Sequence, residues 1–292
     1  MRPLSVGLFL LVCASAFSQT TLNCNFTPLP LPGNFNIAYG VNDAGSIVGD
    51  IIIGDGSAQG FLLSATRSNV FSISGATQTI PADINNLGQV VGSYTDSGQV
   101  NHGFLFGPTG LSIIDYPGQG QNPSTGVTAI NDGGTIVGIF GIYFGTGSSQ
   151  GSFLLQDGQF TPITFPDAVI TNAASLNNAG EVVGVYATLN SDNSLFFHGF
   201  QWIAGLFTSV DYPGATSTSL TGINDSGTIT GFYADAIGHN HSFILEDGRF
   251  LVLSPATVGT VQVYGINNKD EIVGLDIGAT GNIKSVRATC PI

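Results

Sequence analysis

Three of the four histidines stand at one recurring place, in His102-Gly103-Phe104, His198-Gly199-Phe200 and His241-Ser242-Phe243. Gln59 and Gln150 hold that place in two further copies and Lys284 in the last, while Asp96 and Asp235 recur a few residues upstream. Imidazole beside carboxylate is the chemistry of metal binding and of proton transfer. A metal needs three or four such ligands at one centre, and equivalent residues of different repeats stay apart unless they face a common axis. The preferred reading is therefore that each His caps its own loop, with no metal and no cofactor. His239 reads as a solvated loop residue. Phe140, Tyr143, Phe144, Phe196 and Phe197 form a second set, in the two longest inter-strand segments, 139–150 and 185–197. Exposed aromatics among Asn, Asp and Ser suit stacking on sugar rings or a protein partner. Tyr116 and Tyr212 each precede a proline and read mainly as wedges between repeats.

Catalytic patterns are scarce. The chain holds no His-Glu-x-x-His and no Walker loop. Its three glutamates, Glu181, Glu246 and Glu271, each lie in or beside a turn, which argues against a paired-carboxylate glycosidase. No catalytic residue is assigned.

These residues are set in place by a phrase that returns six times. It reads Val41-Asn42-Asp43-Ala44-Gly45, then Ile84-Asn85-Asn86-Leu87-Gly88 and Ile130-Asn131-Asp132-Gly133-Gly134. Leu176-Asn177-Asn178-Ala179-Gly180, Ile223-Asn224-Asp225-Ser226-Gly227 and Ile266-Asn267-Asn268-Lys269-Asp270 complete the series. Seven residues after each leading Asn comes another glycine: Gly49, Gly92, Gly138, Gly184, Gly231 and Gly274. In the fifth unit, residues 219–224, 228–233, 241–245 and 250–253 read as strands, rich in β-branched and aromatic residues and broken by Gly, Asn, Asp and Pro. Asp157-Gly158 and Asp247-Gly248 mark hairpins. Four antiparallel strands per unit, six times over, predict an all-β fold: a six-bladed β-propeller of four-stranded blades. An open solenoid is the alternative.

The phase of the repeat favours the ring. Residues 26–32 match 207–213, a fourth-strand segment, whereas the last unit stops after a third strand near 284–287. The N-terminal strand is thus expected to complete the last blade. Cys24 and Cys290 align with neighbouring positions of the turn joining strands three and four, so a disulfide there would replace a covalent turn. Strand polarity then puts the tight first-to-second and third-to-fourth turns on one face of the disc. The second-to-third loops and the crossovers share the other, where length varies and a binding site is expected.

Residues 1–18 read as a secretory signal peptide: Arg2, an apolar run, then Ala16-Phe17-Ser18 before the cut. Residues 19–292 then form a single domain with no segment of membrane-spanning length. The chain carries 6 basic and 19 acidic residues for a net charge of −13. That surface repels phosphate backbones and argues against nucleic-acid binding.

The unit from Gly222-Ile223-Asn224-Asp225-Ser226-Gly227 through Gly231-Phe232-Tyr233-Ala234-Asp235 and His241-Ser242-Phe243 resembles the HAF family of bacterial extracellular repeats. Gly92-Ser93-Tyr94-Thr95-Asp96, His102-Gly103-Phe104 and Asp115-Tyr116-Pro117-Gly118 carry the same likeness, which spans Cys24 to Cys290. Asp270 and Lys284 depart from the pattern. The resemblance implies export from a bacterium and a repeat scaffold, and it carries over no catalytic residue. The expectation is a secreted, monomeric, non-enzymatic scaffold that binds a glycan, small ligand or protein through its long-loop face. A polysaccharide hydrolase or lyase and a purely structural surface protein are the alternatives.

Overall fold

The computed structural model describes residues 20–33, 35–52, 54, 56–119, 124–141, 151–255, 259–278 and 281–290. Two N-terminal strands, β1 (Thr20–Cys24) and β2 (Thr27–Pro28), precede the first blade. Blade one is β3 (Asn36–Val41), β4 (Ile47–Ile52), β5 (Ala58–Leu63) and β6 (Ser68–Phe71). Blade two is β7 (Gln78–Ile84), β8 (Val90–Thr95), β9 (Asn101–Gly107) and β10 (Gly110–Ile114). Blade three is β11 (Thr125–Ile130), β12 (Ile136–Phe140), β13 (Gly151–Gln156) and β14 (Gln159–Ile163). Blade four is β15 (Ile170–Leu176), β16 (Val182–Leu189), β17 (Leu195–Ile203) and β18 (Leu206–Val210). Blade five is β19 (Ser217–Ile223), β20 (Ile229–Ala234), β21 (Asn240–Glu246) and β22 (Arg249–Pro255). Blade six has β23 (Gly259–Ile266), β24 (Glu271–Gly278) and β25 (Ile283–Thr289) from the C-terminal part, with β2 as its outer strand. The chain is a six-bladed β-propeller.

The repeated glycines follow from the packing within a blade. Each lies on the second strand opposite a buried residue of the third, Phe61, Phe104, Phe153, Phe200 and Phe243 in blades one to five and Val286 in blade six. A Cβ on Gly138 would stand 2.4 Å from the Gly126 carbonyl oxygen and 2.5 Å from the Phe153 ring. Only a missing side chain lets that ring lie flat on its neighbour strand.

Ring closure is as expected, with one addition. Thr27 and Pro28 pair with Arg287 and Val286, and Leu29 N–H continues to Ser285 O at 2.9 Å. The pairing is short because Pro28, Pro30 and Pro32 lack N–H groups. Cys24 and Cys290 form the disulfide, Cα atoms 4.9 Å apart. The addition is β1, which lies parallel to β22 as a fifth strand on blade five. The N-terminal segment therefore straddles two blades and is stapled between them.

Candidate functional site

Each innermost strand carries a β-bulge, and the extra residue lines the central cavity of about 260 Å³. These residues are Tyr39, Ala82, Thr128, Ala174, Thr221 and Tyr264. At one mouth the repeated phrase closes two rings of hydrogen bonds. In the first, each leading Asn donates Nδ2–H to the same carbonyl of the next blade, from Asn42 to Asn85 O and around to Asn267 and Asn42 O. The second alternates Asp43, Asn86, Asp132, Asn178, Asp225 and Asn268. Each of its three Asn side chains donates both Nδ2 hydrogens to flanking carboxylates at 2.8 to 3.1 Å. A six-sided ring with edges of this length holds its atoms about 3 Å from the axis, too narrow for a sugar once atomic radii are subtracted. Burial works against the charge of Asp132, but the bonds from Asn86 and Asn178 outweigh it and hold its pKa below the ordinary value. The two rings are self-satisfied, with none of their side-chain polar groups left over for a ligand.

The opposite face gathers the predicted histidines differently from the expectation. Their ring nitrogens meet carboxylates rather than the loop backbone. His102 Nδ1 lies 2.9 Å from Asp115 Oδ1, with Nε2 3.6 Å from Asp96 Oδ2. His198 Nδ1 is 2.9 Å from Asp211 Oδ2, and His241 Nε2 is 2.9 Å from Asp235 Oδ2. The capping falls to Asp96 and Asp235, which accept backbone N–H bonds from Val100 and from Ile237 and His239. The His241 bond, with these N–H donors, lowers the Asp235 pKa to about 2. Under each imidazole lies a tyrosine of the second strand: Tyr94, Tyr186 and Tyr233, with centroids 5.1, 4.9 and 5.0 Å away. Three blades thus bring Tyr, His and Asp together at the same edge, through Nδ1 and the Asp after the fourth strand in blades two and four, and through Nε2 and the loop Asp in blade five.

The three sites lie in separate blades, and among the described residues no three His, Cys, Asp or Glu come together to hold a metal. Blade four adds a Ser: Tyr186 OH donates to Ser209 Oγ at 3.0 Å, and Ser209 Oγ to Asp211 at 3.2 Å. That Ser sits on the carboxylate rather than on the imidazole, so it is not arranged as an activated nucleophile.

The aromatic set divides. Phe140 stacks on Tyr116 at 3.9 Å and is a wedge between blades two and three. Phe196 leans on His198 at 4.5 Å, inside the blade-four arrangement. Phe197 is partly exposed, 36%. Tyr143 and Phe144 lie outside the described residues. Segment 185–197 is no open loop: β16 and β17 stay paired out to Leu189 and Leu195, two residue pairs beyond blades two and five, before an Asn190 turn closes them. Asp115, Asp211 and the three tyrosines are the members of this arrangement that the sequence reasoning missed. The tyrosines are signalled by standing two residues after the repeated glycine, and Asp115 and Asp211 by the Asp-Tyr-Pro-Gly that each opens.

No protein-family model and no curated protein matches the chain. Solved structures do. The β-propeller domain of the Trilobed protease from Pyrococcus furiosus superposes with a TM-score of 0.56 at 12% identity, over 85% of this chain and 79% of that one. A lectin of Aleuria aurantia, solved with Fucα1-6GlcNAc, gives 0.51 at 11%, over 88% and 93%. The calcium-binding protein regucalcin of Agrobacterium tumefaciens gives 0.51 at 11%, over 92% and 96%. These are likenesses of fold. Among the described residues no helix is long and apolar enough to cross a membrane.

Proposed function

We propose that this chain is an exported, non-enzymatic member of the HAF-type repeat proteins that binds a hydroxyl-rich ligand, a glycan foremost, on its loop face. The observation that carries this reading is the threefold recurrence of Tyr, His and Asp in blades two, four and five. A carboxylate that takes one imidazole N–H fixes the ring and, at His198 and His241, leaves the other nitrogen as an acceptor for a sugar hydroxyl. The buried tyrosine holds the imidazole from beneath, and Phe196 beside His198 supplies an apolar face for the ring carbons of a sugar. Several weak sites on one rigid disc suit a repeating polymer, because avidity multiplies where the spacing lets two engage. A buried disulfide is in keeping with an oxidising compartment.

The test is a glycan array followed by titration of the best ligand into the His102→Ala, His198→Ala and His241→Ala variants. Each single change is expected to weaken binding and the triple change to abolish it, with the melting temperature held within a few degrees. Turnover of a polysaccharide that vanishes in Asp96→Asn would favour a hydrolase instead. Unchanged binding in the triple variant would sink the proposal.

A further inference from the structure

A second cavity, of about 340 Å³, lies at the ring-closing seam and is lined by Asn25, Thr27, Lys269, Glu271, Arg287, Ala288 and Thr289. It flanks the disulfide, since Asn25 follows Cys24 and Thr289 precedes Cys290. It is on the turn face, away from the histidines. We infer that this seam binds a small oxyanion: sulfate, phosphate or the carboxylate of a sugar acid.

Charge distribution is the first argument. The whole chain holds six basic residues at a net charge of −13, and three of the six, Lys269, Lys284 and Arg287, belong to blade six. Lys269 and Arg287 both line this cavity, against a single carboxylate, Glu271. In a chain so acidic, two cations facing one cavity are a local reversal of sign.

The second argument is what their neighbours already use. Glu271 is engaged on both oxygens, by Arg287 NH1 at 3.4 Å and by Asn267 Nδ2 at 3.3 Å. That single contact leaves most of the planar guanidinium unengaged, and Arg287 is 51% exposed. Lys269 Nζ donates one bond, to Asp43 O at 2.6 Å, and keeps two hydrogens. Thr27 and Thr289, each with a hydroxyl to offer, border the same space. A guanidinium fork, an ammonium and two hydroxyls around one opening match the tetrahedral or planar oxygens of a small anion. A polyanion does not fit, because the rest of the surface repels it.

The donors come from three segments, the N-terminal strand region, the β23–β24 turn and the end of β25, which meet only in the closed ring. Anion binding therefore stabilises closure and slows loss of the disulfide.

The experiment is calorimetric titration of the oxidised full chain with sodium sulfate, sodium phosphate and sodium glucuronate. Ionic strength is held constant with chloride, and glucose serves as the neutral control. Saturable binding of at least one oxyanion is expected, with affinity falling about tenfold or more in Thr289→Val and in the charge-balanced Arg287→Gln/Glu271→Gln double variant. The inorganic and glucuronate arms tell a free ion from a saccharide-borne one. Saturating anion is also expected to slow dithiothreitol reduction of Cys24–Cys290. No saturable heat for any of the three, or equal affinity in both folded variants, overturns the inference. The histidine variants are expected to bind the anion normally, which separates this site from the loop face.

Discussion

At the residue scale the alternation of Asp and Asn around the channel mouth is a matter of counting donors and acceptors. A carboxylate has two acceptor oxygens and no donor, and an amide nitrogen has two hydrogens. The alternating ring uses them in full, since Oδ2 of Asp43, Asp132 and Asp225 each receives from both neighbouring asparagine side chains and Oδ1 takes a backbone N–H. Replacing Asn86 by Asp removes two donors and places three carboxylates side by side. The expected cost is roughly 2–4 kcal/mol at neutral pH, read from urea unfolding, and it should shrink near pH 4 as the carboxylates protonate. The six Asn-led turns were plain in the sequence. The rings they form were not, because each bond joins residues 43 to 47 positions apart, or 225 at the closure. A single turn shows its own cap and gives no sign of the neighbour whose carbonyl it will meet.

At the element scale the spacing of glycine after asparagine was legible because it is local to one hairpin. Asn opens the turn, and seven residues on, the second strand passes under the buried aromatic of the third. Gly138→Ala is expected to cost about 2–3 kcal/mol through overpacking against Phe153 and Gly126, with a matching fall in melting temperature. The Tyr–His contact was illegible for a related reason. It joins second and third strands across a hairpin of varying length, so Tyr94 and Tyr233 stand 8 residues before their histidines while Tyr186 stands 12 before His198. Only the strand register makes these equivalent. The blade-four segment read as a loop because it is long. It is a strand extension instead, as apolar Leu189 and Leu195 face each other across it and keep the pairing going. Nor could the repeat announce β1, whose parallel pairing with β22 has no counterpart in another blade among the described residues.

For the molecule as a whole, stability should turn on two opposed sets of carboxylates. Burial raises Asp50 to about 6, partly offset by its bond with Tyr39, and raises Asp83 to about 6 although Asp83 keeps some surface open to the channel. A raised folded pKa favours the protonated form, so these two contribute most below their unfolded value, and that contribution is lost as pH climbs through 6. Asp96, Asp132 and Asp235 are lowered, so their contribution holds above about pH 4 and is lost as pH falls toward 2. The melting temperature is therefore expected to peak near pH 4 to 5, and Asp50→Asn should flatten the decline on the alkaline side. A monotonic rise to pH 8 would contradict the assignment. The clasp itself bears on how the chain acquires its shape. Residues 20–28 are synthesised before the six blades, yet their partners are residues 251–255 and 286–287, and the bond that fixes them spans 266 positions. Such a segment must wait, unpaired, until nearly every other strand has been made, and closure is then the slow, entropy-laden last event. The prolines at 28, 30 and 32 keep the waiting strand from adding itself to the wrong open edge.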